Sequence, residues 1–85
     1  MMPRVTVDAE PSEVVRQSDG GTLTLLDLLI GSRRYPDAAL VVDVPNEPPG
    51  VILDESMDWR MELDPRLVRR VCVQAIRAAR GRMPA

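Results

Sequence analysis

Apolar and polar positions alternate at the start of the chain, where Val5 and Val7 sit between Arg4, Thr6 and Asp8, and a period of two is that of a half-buried strand. The pattern predicts a strand over residues 4–8. Ser12 follows Pro11 and precedes Glu13-Val14-Val15-Arg16-Gln17, which reads as a capped helical turn that Gly20-Gly21 must end.

The most apolar stretch is Thr22-Leu23-Thr24-Leu25-Leu26-Asp27-Leu28-Leu29-Ile30-Gly31. Thr24 with Asp27 resembles a capping box, and Gly31 suits the left-handed position just past a helix end, so the reading is a short apolar helix. Residues 22–25 also alternate like a strand, which keeps that alternative open. As a helix, its polar side is only Thr24 and Asp27. A helix apolar in nearly every direction has to be enclosed by something else.

The β-branched run Leu40-Val41-Val42-Asp43-Val44, with Asp37-Ala38-Ala39 before it, lies between Tyr35-Pro36 and Pro45 and predicts a strand over 38–44, partly covered on both faces. The segment Pro45-Asn46-Glu47-Pro48-Pro49-Gly50 breaks regular structure and reads as a stiff connector. Residues 51–54 then resume as the second strand of a hairpin. Met57, Trp59, Met61 and Leu63 alternate with Asp58, Arg60 and Glu62, predicting a one-sided strand over 57–63.

Asp64-Pro65 is the clearest local signal, because aspartate caps a helix and proline suits its first position. The helix predicted over 65–80 stops at Gly81. At 100° per residue, Leu67, Val68, Val71, Cys72, Ala75, Ile76, Ala78 and Ala79 share one broad arc. Arg66, Arg69, Arg70, Gln74, Arg77 and Arg80 take the other, with Val73 the one apolar residue set among them. Arg80 and Arg82 complement the helix dipole. Residues 82–85 read as a loose tail, no internal repeat is visible, and residues 1–85 read as one domain.

Together these elements predict an α+β fold: a small mixed or antiparallel sheet of three to four strands, packed by the C-terminal helix and the short apolar helix. Eighty-five residues bury only a thin core. The usual staples of small domains are missing from the sequence, since the single Cys72 cannot form an internal disulfide and there is no histidine for a Cys/His zinc site. Packing, self-association or a partner must supply the remaining burial.

Hydrophobic residues are 45% and charged residues 28% of the chain, a globular balance rather than a disordered one. The first residues turn polar before a secretory apolar region develops, no run spans a membrane, and a lone cysteine fits a reducing compartment, so a cytoplasmic protein is expected. All eleven basic residues are arginine, the mark of a GC-rich, bacterial genome. The net charge of -2 is unevenly spread: residues 65–85 carry six arginines and no acid. Such asymmetry marks a nucleic-acid or acidic-protein contact, or two halves of one fold neutralising each other.

Candidate chemistry is sparse. Without histidine the chain lacks the commonest acid/base group, and its glycines form neither nucleotide-binding pattern. Cys72, on the apolar arc, reads as a packing thiol. Asp54, Glu55 and Asp58 crowd one turn but lack the spacing of a calcium loop, and read as a solvated turn. No catalytic residue, cofactor or metal site is expected.

The functional expectation is a non-enzymatic protein-binding module, either a homo-oligomer or a small accessory or regulatory subunit. The partner-contact residues expected are Arg66, Arg69, Arg70, Val73 and Arg77 on the helix, with Trp59 as a core residue or interface anchor. The alternative is a DNA-binding regulator or antitoxin-like protein that sets the arginine face against phosphates, although an acidic chain with two aromatics argues against it.

Overall fold

The computed structural model describes residues 5–54 and 65–81. Four strands run in sequence order, β1 (Val7–Arg16), β2 (Thr22–Ile30), β3 (Arg33–Asp43) and β4 (Gly50–Leu53), followed by one helix, α1 (Pro65–Gly81). Every neighbouring pair is antiparallel and the spatial order is β1-β2-β3-β4. This is an α+β domain, a meander with a helix across one face. The strand expected over 57–63 and Trp59 within it lie outside the described residues.

Residues 22–30 form the central strand β2, not the apolar helix the sequence suggested. Their regularity lies in burial rather than polarity: Thr24, Leu26 and Leu28 are buried while Leu23, Leu25, Asp27 and Leu29 are only half-buried. A strand flanked on both sides satisfies all its backbone groups and places leucine on both faces, whereas a helix this apolar would need enclosure all round. Gly31, at φ 62°, serves the two-residue turn from Ile30 to Arg33 instead of a helix end.

The helical turn expected after Ser12 is likewise replaced by the second half of β1. Ser12 is the extra residue of a bulge between Pro11 and Glu13 on this edge strand. Proline and a bulge are both tolerated at an edge, where one row of backbone groups has no neighbour in the sheet. Gly20, at φ 88°, turns the chain into β2.

β3 starts earlier than Tyr35-Pro36 suggested, because Pro36 sits inside a bulge rather than at a strand end. Leu26 opposes Ala39 and Leu28 opposes Tyr35, so β3 spends two more residues than β2 over this stretch. Asp37 takes φ 51° there. The predicted β3–β4 hairpin is present, with its loop bent at Asn46 (φ 67°).

Helix α1 lies chiefly over β1, with lesser contact to the other strands. It runs in the same direction as β1, since an Arg70 Nη2–H donates to the Val5 carbonyl at 2.8 Å near one end and Arg80 pairs with Asp43 at the other. Five of the eight residues on the apolar arc join the core: Val71 and Ala75 are buried, and Ile76, Ala78 and Ala79 pack beside them. Among the described residues the core is Ala9, Leu26, Leu28, Ala38, Ala39, Val41, Val71 and Ala75. Half of these are alanines, so the layer between helix and sheet is thin.

Candidate functional site

Strand register divides the sheet into two faces of different character. The face beneath α1 carries Thr24, Leu26, Leu28, Ala39, Val41, Val51 and Leu53, all buried or packed against the core. The opposite face carries two cross-strand rows. Val15, Leu23, Val42 and Gly50 oppose one another in the first, and Glu13, Leu25, Leu40 and Ile52 in the second. No described element covers these rows. Ile52 is 58% and Val15 47% exposed, and Leu23, Leu25, Leu40 and Val42 are half-buried. The result is an aliphatic patch of six residues on an open sheet face.

The same face turns polar towards the β2–β3 turn. There Arg34 Nη2–H groups reach Glu10 Oε2 and Asp27 Oδ2, each at 2.8 Å. The other oxygen of Asp27 accepts the Asp37 backbone N–H at 2.8 Å, tying the β3 bulge to β2. The Ser12 hydroxyl lies 2.9 Å from Asp37 Oδ1 and 3.1 Å from the Leu25 carbonyl oxygen, either of which can accept its proton. In the sequence Asp27 reads as half of a capping box; the fold instead pairs it with groups 7 and 10 residues ahead, beyond the reach of a local pattern.

The Asp37 N–H bond, reinforced by Arg34 and opposed by burial, holds the Asp27 carboxyl below the ordinary aspartate range. Arg80 does the same for Asp43. A carboxyl whose folded pKa lies below its unfolded value near about 3.9 stabilises the fold fully above that value and loses the contribution as pH falls through the folded pKa. The melting temperature is therefore expected to hold from neutrality to about pH 5 and to drop below about pH 4. Asp27→Asn should melt lower at neutral pH and show a shallower acid limb. An unchanged acid limb in that variant would remove Asp27 from the account.

The expected contact residues on α1 are spread by the helix in a line. Arg66, Arg69 and Arg77 are exposed and make no ion pair among the described residues, and Val73 is 41% exposed between them. Arg70 is half-buried and occupied with the Val5 carbonyl. Arg80 is bound to Asp43 at 2.8 and 3.0 Å, so part of the acid–base asymmetry is internal neutralisation. Trp59, the remaining expected contact, falls outside the described residues.

Cys72 is half-buried, and burial pushes its thiol pKa up, the condition of a packing thiol rather than a reactive one. No group of three or more metal-ligating side chains gathers among the described residues, and Glu55 and Asp58 of the acidic turn lie outside them. No helix among the described residues is long and apolar enough to cross a membrane. A shallow cleft of about 220 Å³ between Gly20, Thr22, Asp43, Pro45, Ala79 and Arg80 is spanned by the Arg80–Asp43 pair, whose charges already satisfy each other.

Compared with known proteins, the chain matches no family model, no curated protein and no solved structure.

Proposed function

We propose that this chain is a non-enzymatic protein-binding module, working as a homo-oligomer or as a small accessory or regulatory subunit, and that its contact surface is the sheet face opposite α1. One observation carries the reading: a four-stranded sheet has its helix on one face and six aliphatic side chains in adjacent rows on the other. Contiguous apolar patches of this kind are the mark of interaction surfaces, since leaving them in water forgoes their burial. A reducing cytoplasm suits a chain with one unpaired cysteine.

Capture from native lysate tests the reading by comparing baits. Tagged wild type should hold a stoichiometric protein, whether an untagged copy of itself or another chain. Val42→Asp and Ile52→Asp should release it, while Arg69→Gln/Arg70→Gln/Arg77→Gln should not. Equal capture by all baits, or by none, would reject the surface.

The DNA-binding alternative has one observation in its favour, the exposed Arg66, Arg69 and Arg77 on α1, which make no ion pair among the described residues. Phosphate contacts by three or four arginines make binding fall steeply with salt, by counterion release. Duplex DNA is expected not to bind at physiological salt. Tight, salt-sensitive binding lost in the triple glutamine variant would exchange the two readings.

A further inference from the structure

We infer that the outward face of α1 docks an acidic amphipathic helix of another protein, a ligand separate from the partner of the sheet face and held on the opposite side of the molecule. At 100° per residue, Arg66, Arg69, Arg70, Val73 and Arg77 fall within about 100° of arc, while the buried Val71 and Ala75 lie across the helix axis. From Arg66 to Arg77 this stripe is about 17 Å long.

Charge complementarity sets the chemistry of the ligand. Arg34 and Arg80 are neutralised inside the fold, by Glu10 and Asp27 and by Asp43. Arg66, Arg69 and Arg77 are exposed and make no ion pair among the described residues. The stripe also begins at the end of the helix that disfavours cations: the first turn of α1 holds Arg66 and no acid, and Arg69 and Arg70 follow directly. Beside them a hollow of about 430 Å³ is lined by Pro65, Arg66, Arg69 and Arg70. Cations that oppose their own helix dipole and are left without counter-charges break a local rule that folding alone obeys, as residues kept for binding do.

Val73 separates a protein ligand from a nucleic acid. It is 41% exposed in the middle of the stripe, and a row of phosphates would give it nothing apolar to cover. A duplex is charged along its whole length. The stripe is short and belongs to a chain whose residues 1–64 hold all thirteen acids against five arginines, which favours a short anion. A segment with one aliphatic residue between carboxylates meets the valine and the arginines together. Helical form follows from spacing, since a helix repeats every 5.4 Å as the arginines do, whereas an extended chain repeats every roughly 6.8 Å and falls out of step within about 17 Å. The α1 of a second copy is excluded as the occupant, because residues 65–85 carry six arginines and no acid.

Fluorescence anisotropy with a labelled alanine-based helical peptide, carrying glutamates one and two turns on either side of a central leucine, tests the inference on the full chain. The expected Kd is about 10–100 µM at about 50 mM salt, since exposed ion pairs each contribute little, and binding should weaken about tenfold by about 200 mM. Arg66→Gln/Arg69→Gln/Arg77→Gln should weaken it about tenfold or more, and the uncharged Val73→Ser about threefold, with circular dichroism unchanged in both. Ile52→Asp, on the other side of the molecule, should bind the peptide like wild type.

A peptide of the same composition with its glutamates and leucine scrambled that binds as tightly would reduce the stripe to unspecific attraction and overturn the inference, as would binding that survives the triple glutamine change. Duplex DNA held more tightly than the peptide at physiological salt would overturn it in favour of nucleic acid. Peptide binding lost in Ile52→Asp and kept in the triple glutamine variant would move the acidic ligand to the sheet face, overturning the inference and leaving the contact surface proposed above in place.

Discussion

Truncating Leu28 to alanine is expected to destabilise the domain by about 2–5 kcal/mol, the range for deleting a fully buried leucine. Leu28 has no exposed surface and lies in β2 opposite Ala9 on β1 and Tyr35 on β3. A domain of this length has roughly 4–13 kcal/mol of stability in all, so the loss takes much of it. The next residue makes the informative contrast. Leu29 points to the other face, is only half-buried, and pairs with Asp8 and Arg34. Leu29→Ala should cost about 1 kcal/mol or less in the monomer, the usual size for a partly exposed position. Urea midpoints for the alanine series at 26, 28 and 29 read the alternation directly. Equal costs at 28 and 29 would contradict the strand.

The second large effect is on α1, two residues apart. Val71 is fully buried against the sheet, and Val71→Asp introduces an unpaired charge there, which should cost about 4 kcal/mol or more and leave the chain largely unfolded. Val73 is turned outward among the arginines, and Val73→Asp should change stability by no more than about 0.5 kcal/mol. Thermal melts of the two variants, side by side, check which arc of the helix holds the fold. A Val73→Asp that unfolds would mean that another layer covers the outward arc.

Much of this architecture is readable along the chain, and the parts that are not have a common cause. Asp64-Pro65 and the apolar arc from Leu67 to Ala79 place α1 to within a residue, because caps and a period of 3.6 are local signals. The β-branched run through Val44 and the proline-rich loop after it place the β3–β4 hairpin for the same reason. β2 is hidden because both of its faces are apolar. Leu23, Leu25 and Leu29 fill the positions where a one-sided strand carries polar residues, and this erases the period of two. The second half of β1 is hidden by Pro11 and Ser12, residues that start helices elsewhere and here form an edge bulge.

The open face itself is not visible in the sequence, since it exists only once register sets Val15, Leu23 and Val42 in one row and Leu25, Leu40 and Ile52 in the next. What the sequence does register is its consequence. The over-apolar stretch from Leu23 to Ile30 demands enclosure in a chain with a thin core, and the fold meets that demand on one side of the sheet only. The Asp27–Arg34–Glu10 group is also a product of register, with Glu10 opposite Asp27 across β1 and β2.

The most direct measurement of the proposed contact surface is an isotope-filtered nuclear Overhauser experiment on methyl-labelled full chain mixed with the unlabelled protein it captures, whether a second copy or another chain. Intermolecular cross-peaks are expected among the methyls of Leu23, Leu25, Leu40, Val42 and Ile52, with none from Val73. Cross-peaks confined to Val73 and its helix neighbours, or an associated species with no contact among the open-face methyls, would contradict it.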